Sequence, residues 1–258
     1  MTRRRWIADR VAGDRAFLSG SNAEHLARVL RARVGQEFEI ATGDAVRLGR
    51  IAAISDNEVE FELGESVAQA EQGSVSLLLA VFKFDRMEWA IEKATELGVA
   101  AIQPVIARRT ETHLASAAAK RVERWRRIAH EAAQQSRRDA EPEIADPVKL
   151  KDALDHHAEI KIVLAEAEHT VTLKDLLQRF QSGAPHIVQE RVSPLPDSAA
   201  RCMGTVALAI GPEGGWTDDE LRAFTDAGWT SASLGKTILR AETAAIAALA
   251  LTVALIEP

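Results

Sequence analysis

The spacing of apolar residues changes character once along the chain. In the first third they form short strand-like runs, Arg4 to Asp9, Glu37 to Ala41, Val46 to Ile54 and Val59 to Leu63. Thr42-Gly43-Asp44 and Ser55-Asp56-Asn57, which are turn chemistry, separate the last three. One short helix is predicted, Asn22 to Arg31, with His25, Leu26, Val29 and Leu30 at helical spacing. Together these elements read as a small β-barrel or meander. The stretch Val67 to Gly73, VAQAEQG, carries no core pattern and reads as a linker, which divides the chain into residues 1–72 and 73–258.

Beyond the linker, strands and helices alternate. Val75 to Phe82 is a nearly continuous apolar run of the kind a buried parallel strand requires, and Asp85 to Leu97 is an amphipathic helix closed by Gly98. Ala101 to Val105 is a second strand. A long basic helix follows at Ala117 to Arg138, with Trp125 and Ile128 towards the core. Next come a strand at Ile160 to Leu164, a helix at Leu173 to Phe180, and an irregular Pro-bearing insertion at Ser182 to Ala200 that reads as a surface loop. Two further strand-like runs, Thr205 to Ile210 and Ser231 to Leu234, precede an apolar helix at Ala241 to Ile256. This is βαβ grammar, so the second domain is α/β.

Composition narrows the class. Apolar residues make up 47% and charged residues 27% of 258, which supports a packed core and excludes disorder as the main state. A single Cys202 excludes an intrachain disulfide framework and a Cys-rich zinc site, and points to a reducing, cytoplasmic home. Asp9, Arg10, Asp14 and Arg15 interrupt what a signal peptide would need as its apolar region. The helix at Ala241 to Ile256 has 16 residues against the ~20 needed to span a bilayer, so it reads as a buried or interface helix.

The net charge of -6 hides an uneven distribution. Met1 to Val34 carries eight Arg against three acids, whereas Gly35 to Gln72 carries two Arg against nine. The front of the first domain is therefore a basic surface of the kind that meets phosphate.

The richest chemistry lies late, in Thr205 to Ala245. Each of its two strands runs into a glycine-bearing loop, Gly211 to Gly215 (GPEGG) and Gly235 to Thr237. Glycine lets backbone approach a flat ligand and permits positive φ, so the two loops suit one pocket. Thr217 and Glu220 have capping-box spacing, which puts the first loop at a strand-to-helix junction, where ligands sit in open α/β sheets. Gly235-Lys236-Thr237 is not a phosphate-binding P-loop, because position 230 is Thr230 rather than glycine. GxSxG, HExxH and a post-strand GxGxxG are also missing, and the seven His are scattered, with His156-His157 in a charged stretch that reads as exposed. No metal site is expected.

Several groups of residues resemble one family. They are Arg3 to Trp6, His25 with Val29-Leu30-Arg31, Lys83 with Lys93 to Gly98 (KATELG), Gln135-Ser136, Ile210 to Trp216, and Leu234 with Ile238 to Ala244. In combination they resemble the RsmE family of 16S ribosomal RNA uracil-N3 methyltransferases, of the SPOUT class. The resemblance implies a PUA-like RNA-binding β-barrel at 1–72 and a SPOUT α/β-knot domain at 73–258 whose backbone forms a trefoil knot. It implies S-adenosylmethionine as cofactor, held by Leu164, Glu166, Gly211, Pro212, Glu213, Gly214, Gly215, Leu234, Gly235, Ile238, Leu239, Thr243 and Ala244. It implies a homodimer acting on 16S rRNA within the small ribosomal subunit, with RNA contacts from Arg3, Arg4, Arg5, His25, Arg28, Arg31, Lys83 and Arg138.

Methylating uracil N3 requires a group that takes its proton or stabilises the uracil anion, and the candidates near the two loops are Glu213, Arg240 and Glu242: Arg240 for the negative O2/O4 edge and backbone phosphate, Glu213 or Glu242 for orienting groups or accepting the proton. Glu242 also suits the first turn of the last helix, where a carboxylate favours the dipole. The chain departs from the family pattern at Arg137, where the family commonly has glycine. A SPOUT enzyme acting on transfer RNA or ribose 2′-O, and a non-enzymatic ribosome-assembly factor, are the alternative readings.

Overall fold

In the computed structural model, which describes residues 5–55, 57–69, 74–181 and 205–256, the chain divides into Met1–Gln72 with His130–Glu141, and Gly73–Ala129 with Pro142–Pro258. The first unit thus takes in a segment that the sequence pattern assigns to the second domain. Arg3, Arg4, the turn residue Asp56 and the insertion Ser182 to Ala200 lie outside the described residues.

The first unit is built on a six-stranded sheet among the described residues. Its elements are β1 (Arg5–Ile7), β2 (Arg10–Ala12), β3 (Arg15–Ser19), helix α1 (Gly20–Glu24), β4 (Glu37–Ala41), β5 (Ala45–Ile54) and β6 (Glu58–Gln69). The order is β1-β4-β5-β6-β3-β2, with β1 and β4 parallel and the other pairs antiparallel. Just after β1, Ala8 donates its N–H to Ala41 on one side and Asp9 donates to Phe17 of β3 on the other, so the sheet curls towards closure. Strand alternation supplies the core: Val59, Phe61 and Leu63 of β6 point inward, with Leu18, Ile40 and Ile51 from the neighbouring strands.

The structure differs from the sequence pattern in three places. The hairpin of β2 and β3 was missed, although Ala16 and Leu18 alternate with polar residues behind a Gly13-Asp14 turn. The linker begins later, because β6 continues through Gln69, paired with Ala45, past irregularities in its register with β5. The helix at Asn22 to Arg31 starts at Gly20, passes into a π-helical turn at His25–Val29, and ends with Arg31 at φ 51°. The wider turn buries Leu26 and leaves Val29 64% exposed, so the regular helical face does not form.

The second unit is a parallel α/β sheet. In chain order it holds β7 (Val75–Ala80), α2 (Phe84–Glu96), β8 (Ala101–Ile106), α3 (Thr112–Ala117), α4 (Val122–Gln135), β9 (Glu143–Ile144), β10 (Val148–Lys149), α5 (Leu150–Ala153), β11 (Ile160–Leu164), α6 (Leu173–Gln181), β12 (Val206–Ile210), α7 (Asp218–Asp226), β13 (Thr230–Ala232) and α8 (Ala241–Ile256). The second half of α4 belongs to the first unit. The strand path is β10-β8-β7-β12-β11-β13, with β9 also on β8, and every pair is parallel.

The central strands read as apolar runs because both faces are covered. Leu77, Leu79, Leu208 and Ile210 pack with Ile91, Trp125 and Leu249 on one face. Leu78, Ala80, Ala207 and Ala209 pack with Trp216, Phe224 and Trp229 on the other. The single helix expected at Ala117 to Arg138 is instead α3, a 3₁₀ turn at Ala118–Arg121, and α4, with Leu114, Ala118 and Val122 all packed into the core across the break. His156 is half-buried rather than exposed, with Nε2 2.8 Å from Ser76 Oγ. Burial, then the positive neighbours His157 and Lys161, holds its pKa below the usual histidine value. No helix among the described residues is long and apolar enough to cross a membrane.

Within the first unit, His130 lies between two carboxylates, with Nε2 3.3 Å from Asp9 and Nδ1 2.9 Å from Glu141. The hydrogen bonds to Asp9 and then Glu141 outweigh burial and push its pKa up to about 10. A histidine whose folded pKa is raised contributes fully below its ordinary value of 6.5, and that contribution fades as pH rises through about 10. His130→Ala is therefore expected to cost about 1–3 kcal/mol of unfolding free energy at neutral pH. In urea titrations the difference from the parent protein should shrink as the pH is raised through about 10.

Candidate functional site

A cavity of about 520 Å³ opens at the C-terminal ends of β11, β12 and β13, within the ~300–1,000 Å³ range of small-molecule sites. Because these neighbours are parallel, their exits share one edge of the sheet and three loops converge there. Leu164 to Ala167 follows β11, Ile210 to Trp216 follows β12, and Ala232 to Leu239 follows β13. The sequence-predicted Leu164, Glu166, Gly211, Pro212, Glu213, Gly214, Gly215, Leu234, Gly235, Ile238, Leu239 and Ala244 all line it. Thr243 does not: it is exposed on the first turn of α8.

Backbone geometry explains the GPEGG sequence. Gly215 has φ 68° and donates its N–H to Pro212 O at 2.8 Å, closing a tight turn. A Cβ on Gly211 would come within 3.3 Å of Gly215 Cα and of Trp216 Nε1, and one on Gly214 within 3.2 Å of Arg109 Cδ. A side chain at Gly211 or Gly214 would make those neighbours give by a few tenths of an ångström, and one at Gly215 would meet the strain of its positive φ.

The loop is tied down from both ends. Thr217 and Glu220 form the expected capping box, Thr217 N–H donating to Glu220 Oε2 at 2.8 Å. The other oxygen of this buried carboxylate accepts from Arg108 N–H at 2.7 Å. Lys83 N–H reaches Glu213 Oε1 at 3.4 Å. Arg109, which follows β8 and also lines the cavity, donates Nη1 to Gly214 O at 2.5 Å and to Trp216 O at 3.2 Å. Sequence reading missed Arg109, since nothing in its local pattern shows which loop it meets. It also missed His169, Trp216 and Asp218 in the cavity wall.

The three charged candidates separate. Glu213 is exposed within the cavity wall. Arg240 is exposed on the segment between the β13 loop and α8, and is not among the wall residues. Glu242 is buried at the start of α8, with Oε1 3.8 Å from Arg86 Nε and no hydrogen-bond partner for Oε2. Among the described residues no His, Cys, Asp and Glu cluster suits a metal ion.

Of the residues expected to meet RNA, Arg5 is bonded to Glu39 and Asp139, and Arg28 pairs with Glu24 at 2.7 Å. Arg10 and Arg15 pair with Glu58 and Glu60, so much of the basic front is internally compensated. His25 is exposed beside Trp6, Arg31 is exposed at the end of the π turn, and Arg138 is half-buried. Lys83 is exposed in the second unit.

Two family models match the chain, an RNA methyltransferase domain over residues 69–253 and an RNA methyltransferase PUA domain over residues 18–64. Ribosomal RNA small subunit methyltransferase E of Synechocystis is 32% identical over 93% of this chain and 73% of its own length. The chain belongs to this methyltransferase family. The Mycobacterium tuberculosis member is 32% identical over 91% of this chain and 84% of its own length. Among solved structures, methyltransferase E of Neisseria gonorrhoeae bound to S-adenosyl methionine aligns with a TM-score of 0.72 at 27% identity, covering 98% of both chains. A Legionella pneumophila protein described as a methyltransferase, in complex with SAM, aligns at 0.74 and 27% over the same shares. The α/β domain and the PUA domain are thus those of methyltransferase E proteins.

Glu220 anchors this site through three hydrogen bonds from a buried position. Glu220→Ala should lower stability by about 2–4 kcal/mol, whereas exposed Asp219→Ala should change it by less than about 0.5 kcal/mol. Calorimetric melting of both variants checks the contrast.

Proposed function

We propose that this protein is an S-adenosylmethionine-dependent methyltransferase that modifies N3 of a uridine in 16S ribosomal RNA. The observation that carries this reading is the cavity itself: three loops at one sheet edge, with a glycine turn that a Cβ would obstruct, in a chain of the methyltransferase E family. The wall fits the cofactor. Leu164, Leu234, Ile238 and Leu239 offer an apolar slot for a flat heteroaromatic ring, and the glycine backbone offers polar groups at short range. When bound, S-adenosylmethionine supplies an electrophilic methyl group on a sulfonium.

The chain's own task is to hold uracil N3 in line with that methyl and to take away the N3 proton. With the cofactor in place the methyl would pass from sulfur to N3, and the chain's part would be to accept the N3 proton. Orientation alone is worth ~7 kcal/mol or more. Glu213, the cavity carboxylate among the three candidates, is assigned the proton. Arg240 is assigned the negative charge that develops at O2 and O4, and the adjacent phosphate. Glu242, buried beside Arg86, is assigned a positioning role at the start of α8.

The remaining features fit the same reading. The first unit, with Arg3, Arg4, Arg5, His25, Arg28, Arg31 and Arg138, serves as the RNA-binding module, and Lys83 adds a cation in the second unit. On this reading the β13 loop and α8 belong to the trefoil knot of the SPOUT class. Helix α8 is apolar around its circumference, yet Ile246, Ala247, Ala250 and Val253 are only partly covered, which suits a cytoplasmic homodimer. Mass spectrometry of rRNA from small subunits incubated with protein and cofactor should show one new N3-methyluridine. Arg240→Ala should lower its rate of formation by about a hundredfold with an unchanged cofactor Kd. Full methylation by that variant would remove Arg240 from the mechanism.

A further inference from the structure

The loop after β8 approaches the cavity with two consecutive arginines, used in different ways. Its own shape is fixed: Thr110 N–H donates to Ala107 O at 3.1 Å, and Thr110 Oγ1 accepts from Ala107 N–H and donates to Val81 O at 3.0 Å. That turn holds Arg108 with its main-chain N–H on Glu220 and Arg109 with its side chain on the GPEGG loop.

Two peptide planes of the GPEGG segment are fixed at both ends only because Arg109 is there. In the Gly214–Gly215 peptide, the N–H is held by Pro212 O and the carbonyl by Arg109. In the Trp216–Thr217 peptide, the N–H is held by Glu220 and the carbonyl by Arg109. One nitrogen, Nη1, thus bridges the two carbonyls, and a Cβ at Gly214 would come within 3.2 Å of the Arg109 stem. The carbonyls of Gly214 and Trp216 are drawn to this clamp, which sets the direction of the backbone that lines the cavity.

We infer that Arg109 is the positioning residue of the cofactor loop: it acts through the Gly214 and Trp216 carbonyls to hold the GPEGG turn in its binding-competent form. Gly214 is its steric counterpart, small because Arg109 occupies the space a side chain would take. The inference rests on the cavity being the S-adenosylmethionine site.

The test uses the full chain with Arg109→Ala, Arg109→Lys, Gly214→Ala and the Arg109→Ala/Gly214→Ala pair. Amide hydrogen exchange of the ligand-free protein reads the clamp directly, calorimetry reads the S-adenosylmethionine Kd, and filter binding reads affinity for a 16S rRNA fragment. Arg109→Ala should speed exchange in residues 211–217 and raise the Kd by about ten- to a hundredfold, as loss of a charge-assisted hydrogen-bond pair implies. RNA affinity should stay unchanged, and the cofactor KM should rise more than kcat falls. Arg109→Lys, which keeps charge and stem but not the fork, should fall between the two and guards against a misfolded alanine variant. Gly214→Ala alone should weaken binding, and adding it to Arg109→Ala should cost little more. Unchanged exchange and Kd in Arg109→Ala, or a loss confined to RNA affinity, would overturn the assignment, as would additive losses in the pair. If the parent protein bound no S-adenosylmethionine, the reading of the cavity would fail, while the exchange data would still decide whether Arg109 holds the loop.

Discussion

The parallel pairing of β7 with β12 is the constraint on which the second unit depends. It joins segments about 130 residues apart in register from Val75 opposite Val206 to Leu79 opposite Ile210. Both strands are covered on two faces, so almost every side chain in VSLLLA and VALAI is buried, and the alternation divides them between two helix layers. With both strands parallel, their C-terminal exits lie side by side. That places Lys83 next to Glu213 and lets the loop after β8 reach the loop after β12. A shift of one residue in this register would exchange the two faces and separate those loops.

From that edge the site is made mostly of backbone. The GPEGG turn closes through Gly215 and Pro212, leans on Arg109, and starts α7 through a capping box whose carboxylate also holds Arg108. Each bond belongs to a different level of structure, namely turn, loop contact and helix cap, and all three fix the same short segment. A rigid backbone wall suits recognition of a cofactor by shape and main-chain polarity.

Much of this was legible in the sequence. Apolar runs identified β7, β11 and β12 and the ends of α8, because parallel strands and an all-apolar helix leave unambiguous patterns. The glycine loops and the Thr217–Glu220 cap were legible because each uses residues with few other roles. What escaped was non-local or irregular. Arg109 looks like any surface arginine until folding brings it 105 residues along the chain to Gly214. The π turn at His25–Val29 and the break between α3 and α4 depend on tertiary packing that overrides a weak local period. The compensation of Arg5, Arg10, Arg15 and Arg28 by carboxylates also escaped, because charge counts along a chain do not show which charges meet.

On the proposed reading, the methyl donor sits in the three-loop cavity. A crystal structure of the protein grown with S-adenosylmethionine tests it most directly. Ligand density is expected bounded by Leu164 to Glu166, Gly211 to Gly215 and Leu234 to Leu239, with the methyl group facing Glu213. Ligand ordered at any other place on the chain, with that cavity unfilled, would contradict it.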